Sequence, residues 1–374
     1  MAVSSFLMDL LHHMVEVDAS DIYLTQGITA MFRIEGIVLP YGETVLSGDD
    51  TAAIAAGIMN DRQRKVFEEK HEMNLALYFP ELGRFRVNIF RQRGYVGVVL
   101  RQIKISLKTI DDLGLPPILK EIVMARRGLV LVVGATGSGK STTLAAMIDH
   151  RNENQRGHII TIEDPIEFVH PHKLSVVTQR EVGFDTHSFY DALKNTLRQA
   201  PDVILIGEIR DTETMEDAIV FAETGHLCLG TLHSNNANQA LERILNFFPI
   251  ERHLQIHMQL SLNLKAIISQ RLIPAQDGKR VAAIEILLDT PRVKDLVLKG
   301  EIGLLKETMA LGYQEGMQTF DQHIYDLYRT GRIGYDNAIA YADSPNDLRI
   351  RIKVAGAKKV EQERPLKLRT DEHR

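Results

Sequence analysis

The sequence predicts an α/β protein in which a mostly parallel, helix-covered sheet follows a smaller α+β domain. From about Glu121 onward, short apolar segments alternate with segments of helical pattern. One of these apolar segments leads directly into a glycine-rich stretch, which in turn opens a helix. Alternation of this kind is typical of strands that pair in parallel beneath a layer of helices.

The composition is that of an ordinary globular protein and excludes several classes. The 374 residues suit two domains, and 44% of them are hydrophobic. A net charge of −5 gives no basic field for nucleic acid. The single cysteine, Cys228, excludes an internal disulfide framework and a multi-cysteine zinc site. Because the sequence has no membrane-spanning apolar run and no basic signal-peptide region, we expect a cytosolic protein without a transmembrane segment.

The first domain is predicted to cover residues 1–103. Its N-terminal helix has apolar residues at helical spacing between Phe6 and Val15, and short strands follow in DIYLT and AMFRIEGIV. A polar helix near residues 50–69 and two alternating strands, GRFRVNIF and YVGVVLRQI, complete the domain. Residues 104–117 are polar and end in Gly-Leu-Pro-Pro, so we interpret them as a linker.

The second domain is predicted to cover residues 118–346. Its buried strands are GLVLVVG, HIITIE, DVILIGE and LCLGTLH, with helices between them. Helical patterns fill about 236–346. Residues 347–374 are charged and lack periodicity, so we expect a disordered tail there.

The glycine-rich stretch, GATGSGKS, matches the phosphate-binding pattern G-x-x-x-x-G-K-[ST] in full. Its glycines allow backbone N–H groups to surround phosphates, and the helix N-terminus adds a favourable partial charge. Lys140 is predicted to reach the β- and γ-phosphates of ATP, and the Ser141 hydroxyl to ligate Mg²⁺. The predicted nucleotide-binding residues of this loop are Gly134, Ala135, Thr136, Gly137, Ser138, Gly139, Lys140, Ser141 and Thr142.

Acidic residues end two of the other predicted strands. HIITIE ends at Glu163, and DVILIGE ends at Glu208. Ligands of parallel α/β sheets sit at the carboxyl ends of the strands, so these carboxylates would face the same ATP and Mg²⁺. We predict that Glu163 activates water as a general base, and that Glu208 holds Mg²⁺ directly or through water. The alternatives are a structural ion pair of Glu163 with an arginine and a solvated strand end at Glu208.

Two histidines flank the strand LCLGTL, with His226 before it and His233 after it. Both are predicted to contact the nucleotide as sensors of the γ-phosphate, or to link the chain to the next subunit. A structural role is an equal alternative, because an isolated histidine is more often structural than catalytic.

These motifs resemble those of the secretion ATPase superfamily. GATGSGKST, IEDPIEFVH, LRQAPDVILIGEIRD and AETGHLCLGTLH look like its Walker A, Asp-box, Walker B and His-box motifs, in that order. VDASDIYL, RFRVNIF and RVAAIEILL extend the similarity over about residues 5–345. The resemblance is strongest to the PilT/PilU family of type IV pilus retraction ATPases.

That resemblance implies a hexameric ring in which a PAS-like N-terminal domain sits over a RecA-like ATPase domain. It also implies that Glu163 is the catalytic glutamate and Glu208 the Walker B glutamate. Arg86 of RFRVN and Arg101 of VVLRQ match arginines that the family's N-terminal domain sends to the nucleotide phosphates. Without the resemblance, both arginines would be read as ordinary surface charges.

The sequence departs from the PilT pattern in two places, and both departures favour the PilU-like branch. PilT-like proteins carry an Ala-Ile-Arg-type helix after the strand EILLDT, where this sequence reads PRVKDLVLKGEI. The charged tail also extends past the usual end. The resemblance therefore implies a cytoplasmic ring, peripherally docked at the inner membrane, that assists a PilT-type retraction ATPase. Force would pass to the pilus through an inner-membrane platform protein.

Three other functions are less consistent with the sequence. A pilus-assembly or type II secretion ATPase, which extends pili, shares these motifs but typically carries a four-cysteine zinc module that one cysteine cannot supply. A nucleic-acid motor is disfavoured by the acidic balance and the aromatic content of 6%. A scaffold that does not hydrolyse ATP is disfavoured because Lys140, Glu163 and Glu208 are all present.

Overall fold

The computed structural model describes residues 3–103 and 107–362, and the remaining residues at the two termini and at 104–106 lie outside it. The chain divides into two compact units. The first contains residues 1–107 and 165–170, and the second contains residues 108–164 and 171–374. Residues 165–170 thus belong to the first unit, although the chain on either side of them belongs to the second.

The first unit is built on a six-stranded antiparallel sheet in the order β3-β2-β1-β6-β5-β4. Its strands are β1 Asp21–Leu24, β2 Ala30–Ile34, β3 Ile37–Tyr41, β4 Glu72–Phe79, β5 Gly83–Gln92 and β6 Tyr95–Ile103. Its helices are α1 Ser5–Glu16, α2 Gly48–Ile58 and α3 Asp61–Lys70.

Alternation along the strands separates the two faces of this sheet. In β5, Phe85, Val87 and Ile89 are buried, whereas the residues between them are partly exposed. The predicted amphipathic helix is α1, which buries its apolar stripe in the same core. The polar helix predicted near residues 50–69 is instead two helices, because Met59 is extended and Asn60 starts α3 with a capping box.

The second unit is built on a seven-stranded sheet in the order β13-β12-β7-β11-β10-β8-β9. Its strands are β7 Gly128–Val133, β8 Gly157–Glu163, β9 Ser175–Glu181, β10 Val203–Ile206, β11 Leu227–Leu232, β12 Leu264–Pro274 and β13 Arg280–Leu288. Strands β7 to β12 pair in parallel, and β13 is antiparallel to β12. The α/β class with a largely parallel sheet is confirmed.

Helices cover both faces of this sheet. They are α4 Ile118–Val123, α5 Lys140–Asn154, α6 Phe189–Thr196, α7 Thr212–Glu223, α8 Ala237–Asn246, α9 His253–Asn263, α10 Pro291–Lys299, α11 Leu305–Leu311, α12 Phe320–Arg329, α13 Tyr335–Tyr341 and α14 Pro345–Gln362. One buried cluster joins α7 to α10 with one face of the sheet, and a second joins α4 and α5 with the other. A third cluster holds α12 to α14 against the ends of β12 and β13.

Strand β11 is central and buried along its whole length. Cys228 lies in it, fully enclosed by the apolar cluster under α7. Burial raises the pKa of its thiol far above the usual range, with a smaller contribution from Asp217. This cysteine is therefore an inert part of the core.

Three stretches differ from the sequence prediction. Strand β12 runs through a region that was expected to be helical. The predicted linker is partly core, since Ile110 and Leu115 are buried in the second unit, and its residues 104–106 lie outside the described chain. The predicted disordered tail begins within α14, where Leu348 is buried and the Ser344 hydroxyl donates to the Asp347 carboxylate.

In residues 3–103 and 107–362, no helix combines the length and the apolar character needed to cross a lipid bilayer.

Candidate active site

The carboxyl ends of the central strands meet at one edge of the seven-stranded sheet. Val133 pairs with Leu232 at the ends of β7 and β11, and Ile206 of β10 pairs with both Ile162 of β8 and Gly230 of β11. The residues that follow these strand ends include the glycine-rich loop, Glu163, Glu208 and His233. The register therefore brings the predicted P-loop and the two glutamates to the same edge.

The P-loop has backbone angles that favour glycine. Gly134, Gly137 and Gly139 have φ of 156°, 76° and 88°, a region that residues with a side chain rarely adopt. A Cβ on Gly134 would lie 2.5 Å from both the Gln270 carbonyl oxygen and the Ser138 hydroxyl. The loop can take this shape only with glycine at these positions, and Gly139 leads directly into α5.

Polar groups of the loop are available to phosphate. The Lys140 ammonium donates to the Gly134 carbonyl at 2.9 Å and the Ala135 carbonyl at 3.1 Å. The buried Ser138 hydroxyl has no hydrogen-bond partner in the described part of the chain. Ser141, at the start of α5, is exposed. A glycine cradle with an ammonium, an orphaned hydroxyl and an exposed serine fits a nucleotide phosphate and its Mg²⁺.

Glu163, the last residue of β8, is oriented by neighbours on its own sheet. Its Oε1 accepts hydrogen bonds from the Thr161 hydroxyl at 2.7 Å and the Gln179 amide at 3.2 Å. Thr161 is buried, whereas Glu163 is only half-buried. The carboxylate is thus held in one direction and remains within reach of water.

Glu208 lies at the centre of a small charged group. Its Oε2 accepts a hydrogen bond from Arg210 Nη2 at 2.6 Å, and its Oε1 lies 3.0 Å from His233 Nε2. Burial raises the pKa of the Glu208 carboxyl, but Arg210, followed by His233 and Lys140, outweighs burial, and the net shift is downward. Glu208 is therefore ionised at neutral pH, the state that a Mg²⁺ ligand needs.

His233 is held in its neutral form by the same surroundings. Burial and the positive charge of Lys140 lower the pKa of its imidazole, and Glu208 only partly opposes them. A neutral ring can donate one N–H to Glu208 and still offer its other nitrogen as an acceptor. His233 thus reaches the site as predicted from its place after β11.

His226 does not reach the P-loop of its own chain. It precedes β11 at the opposite edge of the sheet, where its backbone carbonyl accepts from Gly128 N–H. Six residues of extended strand separate the two histidines, a distance of about 20 Å. The prediction of a nucleotide contact therefore does not hold for His226 within one chain, where its ring lies near the Thr224 hydroxyl and the Phe221 carbonyl.

Arg86 and Arg101 lie side by side in the first unit. They pair across β5 and β6, and with residues 165–168 they line a cavity of about 290 Å³. Arg101 Nε also donates to the buried Asp21 carboxylate at 2.8 Å. The sheet register explains why Arg86 and Arg101 lie next to each other, since residues directly opposite on neighbouring strands share a face of the sheet.

Sequence reasoning missed residues that brace the site from a distance. Thr161 and Gln179 orient Glu163, the Thr231 hydroxyl donates to the Gly207 carbonyl beside Glu208, and the Gln270 side chain meets α5. Only the strand pairing reveals these contacts. Within the described chain, no group of three or more His, Cys, Asp or Glu residues is arranged to hold a metal ion.

The family model described as type II/IV secretion system protein matches residues 1–307. The chain belongs to this family. The secretion ATPase resemblance predicted from the motifs is therefore confirmed.

Individual members of the secretion family are similar over nearly the whole chain. The type IV pilus ATPase PilU of Pseudomonas aeruginosa is 57% identical over 346 residues, which cover 92% of this chain and 91% of PilU. The type IV pilus retractation ATPase PilT of the same organism is 42% identical over 339 residues, covering 91% and 98%.

Solved structures of the secretion family share the fold. The crystal structure of the pilus retraction motor PilT with bound ADP has a TM-score of 0.85 and 40% identity, covering 92% of this chain and 98% of that chain. The X-ray structure of the Legionella pneumophila ATPase DotB has a TM-score of 0.74 and 26% identity, covering 95% and 97%. The prediction of a RecA-like ATPase domain that follows an N-terminal sheet domain in the sequence is confirmed.

Proposed function

We propose that this protein is a Mg²⁺-dependent ATP-hydrolysing motor that assists type IV pilus retraction beside a PilT-type ATPase. One observation carries the proposal: a glycine cradle with Lys140 meets Glu163 and Glu208 at the same sheet edge. The 57% identity to the type IV pilus ATPase PilU and the 42% identity to the type IV pilus retractation ATPase PilT, each over nearly the full length of both chains, support this assignment.

Nucleotide binding would begin with an exchange of partners at Lys140. Its ammonium donates to the Gly134 and Ala135 carbonyls of the loop. Phosphate oxygens are stronger acceptors because they are charged, so the ammonium turns to the β- and γ-phosphates. The N–H groups at the start of α5 and the Ser138 hydroxyl complete the cradle, with Thr136 and Thr142 at its rim. Mg²⁺, when bound, neutralises phosphate charge at Ser141 and Glu208.

Hydrolysis would use Glu163 as the general base. Its carboxylate accepts a proton from water as the water oxygen attacks the γ-phosphorus, and the bond to the β–γ bridging oxygen breaks. Thr161 and Gln179 hold Oε1, which orients the carboxylate. Because both donors sit on strands, the base is positioned by the most rigid part of the domain.

Glu208, Arg210 and His233 would report the state of the γ-phosphate. The Glu208 carboxylate accepts a hydrogen bond from Arg210 and lies 3.0 Å from His233 Nε2. A γ-phosphate at the loop would compete with Glu208 for Arg210 and His233, and Glu208 would instead help to hold Mg²⁺, so the arginine and the histidine would change partners. We extend the proposal to Arg86 and Arg101 as phosphate contacts from the first unit, and to His226 as a link to the next subunit.

The proposed working form is a hexameric ring in the cytoplasm, docked peripherally at the inner membrane. Linear motion of a filament requires several sites firing around a closed assembly. The ring would contact an inner-membrane platform protein and a PilT-type partner, and it would not bind nucleic acid. PilT itself is described as a pilus retraction motor.

A deletion strain tests the proposal directly. We expect it to assemble pili but to show reduced twitching and weaker retraction under load. Wild-type protein should restore both properties, and Lys140→Ala at equal abundance should restore neither. Loss of pilus assembly in the deletion strain would instead assign the protein to the extension class of pilus-assembly ATPases.

A further inference from the structure

Gln270 links the P-loop and α5 to β12, a part of the second unit that is remote in sequence. This residue lies in β12, directly after Ser269, which pairs with Val133 at the end of β7. Gln270 therefore stands beside Gly134, where the P-loop begins. It is only 3% exposed, so its polar atoms must find partners inside the protein.

Both ends of the P-loop contact Gln270. The backbone carbonyl oxygen of Gln270 lies 2.5 Å from the position of a Cβ on Gly134, and its side-chain Nε2 lies 2.7 Å from the position of a Cβ on Gly139. Gln270 thus lies against both ends of the loop.

The side-chain oxygen of Gln270 also holds the first turn of α5. The buried Thr143 hydroxyl donates to Gln270 Oε1 at 2.7 Å, across 127 positions of sequence. Thr143 follows Lys140 and Ser141 by less than one helical turn, so its position sets the direction of both. A single amide group therefore connects β12 to the helix that carries the phosphate-binding side chains.

We propose that Gln270 is a positioning residue for nucleotide binding, which fixes the P-loop and the first turn of α5 in their phosphate-binding shape through Thr143. It does not touch the phosphates. The inference rests on the proposed ATP hydrolysis at this loop. A preorganised cradle binds phosphate without first ordering itself, so loosening it weakens affinity.

Gln270→Met and Thr143→Val remove the two ends of the hydrogen bond while nearly keeping side-chain volume. We expect each to weaken the Kd for ATP and for ADP about fivefold to tenfold, the range of one net hydrogen bond. The conservative Thr143→Ser keeps the hydroxyl and should stay within about twofold of wild type. The double variant should lose less than the product of the two single losses, because both act through one contact.

Nucleotide titrations and steady-state kinetics on the full chain measure these effects, at a temperature where circular dichroism shows every variant folded. Leu348→Ala is the matched control, since it opens the third core cluster without touching the loop. A positioning role predicts a higher KM for ATP in Gln270→Met and Thr143→Val and an unchanged KM in Leu348→Ala. Unchanged affinity in Gln270→Met, or an equal loss in Leu348→Ala, would overturn the inference. A wild-type chain that neither binds nor hydrolyses ATP would overturn the proposed function instead.

Discussion

At the scale of single residues, the site separates groups that hold the nucleotide from groups that act on it. Lys140 belongs to the cradle, whereas Glu163 is oriented by Thr161 and Gln179 at its edge. Substitution of Lys140 should therefore reduce nucleotide affinity, whereas substitution of Glu163 should reduce turnover. Binding and turnover are separate measurements, which makes this difference visible.

Lys140→Ala should remove most nucleotide affinity, because it deletes the only ammonium held by the loop carbonyls among the described residues. Glu163→Gln should keep ATP binding and lose roughly two orders of magnitude in turnover, the scale for losing a positioned base. Fluorescent-nucleotide titration and phosphate release measure the two quantities. Turnover at the wild-type rate by Glu163→Gln would remove that residue from the proposed role.

Arg86→Ala and Arg101→Ala should each reduce ATP turnover more than they reduce ADP affinity, if both guanidinium groups meet the γ-phosphate. Only Arg101→Ala should also lower the melting temperature slightly, because it removes one partner of the buried Asp21 carboxylate, which keeps Arg33 at 3.6 Å and the Ser20 hydroxyl. Arg101→Lys separates charge from geometry. Equal losses in turnover and ADP affinity would indicate that the arginines are structural.

His323 should make folding sensitive to mild acid. Burial lowers the pKa of its imidazole from 6.5 to about 4, and its Nδ1 accepts the Ile284 N–H at 2.9 Å. A lowered pKa means that the unfolded chain takes up the proton first, so stability is full above pH 6.5 and is lost as pH falls towards 4. The expected loss is about 2 kcal/mol at pH 5.

His323→Asn tests this origin, since the asparagine oxygen can accept the same N–H but does not titrate. Urea unfolding of both proteins at pH 8 and at pH 5 gives the free energies. We expect the difference between the two pH values to shrink by about 2 kcal/mol in the variant. An identical pH dependence in both proteins would show that another group is responsible.

At the scale of elements, the strands of the second unit that end in polar site residues were predictable from the sequence. The strands without such residues at their ends were not. β7, β8, β10 and β11 were found because each is a short apolar run that ends in polar site residues. β12 was missed because LKAIISQRLIP is apolar without clear alternation, and periodicity alone cannot distinguish a buried strand from a buried helix. Missing β12 also hid Gln270, whose partner Thr143 is remote in sequence.

Helix starts carry capping residues that are local in sequence, whereas the partners of a helix depend on the fold. Asn60 and Thr319 are ordinary capping residues, each paired with a glutamine three positions later. The start of α8 has an additional partner, because the Ala237 N–H donates to the buried Glu285 carboxylate of β13 at 2.9 Å. That contact depends on two segments whose proximity only the fold decides.

Glu285→Gln should stabilise the protein above neutral pH. Burial raises the pKa of the Glu285 carboxyl, and its hydrogen bonds to Ala237 and Ser269 do not fully compensate. A raised pKa means that stability is present at low pH and is lost as pH rises, whereas glutamine keeps an acceptor without the charge. Because the loss begins as pH rises through the ordinary carboxyl pKa of 4.5, thermal melts should show a larger gain for the variant at pH 9 than at pH 4.5. A lower melting temperature at pH 9 would show that the charge itself stabilises α8.

At the scale of the whole molecule, the two histidines of the His-box motif sit at opposite ends of β11. His233 lies at the edge that holds the P-loop, whereas His226 lies at the other end of β11, near the Thr224 hydroxyl and the Phe221 carbonyl, where we propose that it contacts a neighbouring copy. One buried strand would then connect the nucleotide of one subunit with the contact to the next. This arrangement suits a ring in which each site responds to its neighbour.

His226→Ala should therefore impair ring formation and leave each chain folded. Mass photometry with ATP should show wild type near the mass of six chains, about 250 kDa for a chain of 42.2 kDa. The variant should shift towards smaller species with an unchanged melting temperature. His253→Ala, at the start of α9, is a control histidine. A full complement of rings in His226→Ala would rule out the link.

The burial of Cys228 also makes the chain convenient for optical experiments. Its thiol is closed off inside the sheet and strongly disfavours the reactive thiolate form. A maleimide dye added to the folded protein should therefore find no native target. A cysteine introduced at exposed Tyr78 in the first unit and another at exposed Leu311 in the second would then carry a donor and an acceptor fluorophore. Energy transfer between the two fluorophores would report the distance between these positions during successive rounds of ATP turnover. The native cysteine, Cys228, would not have to be removed first.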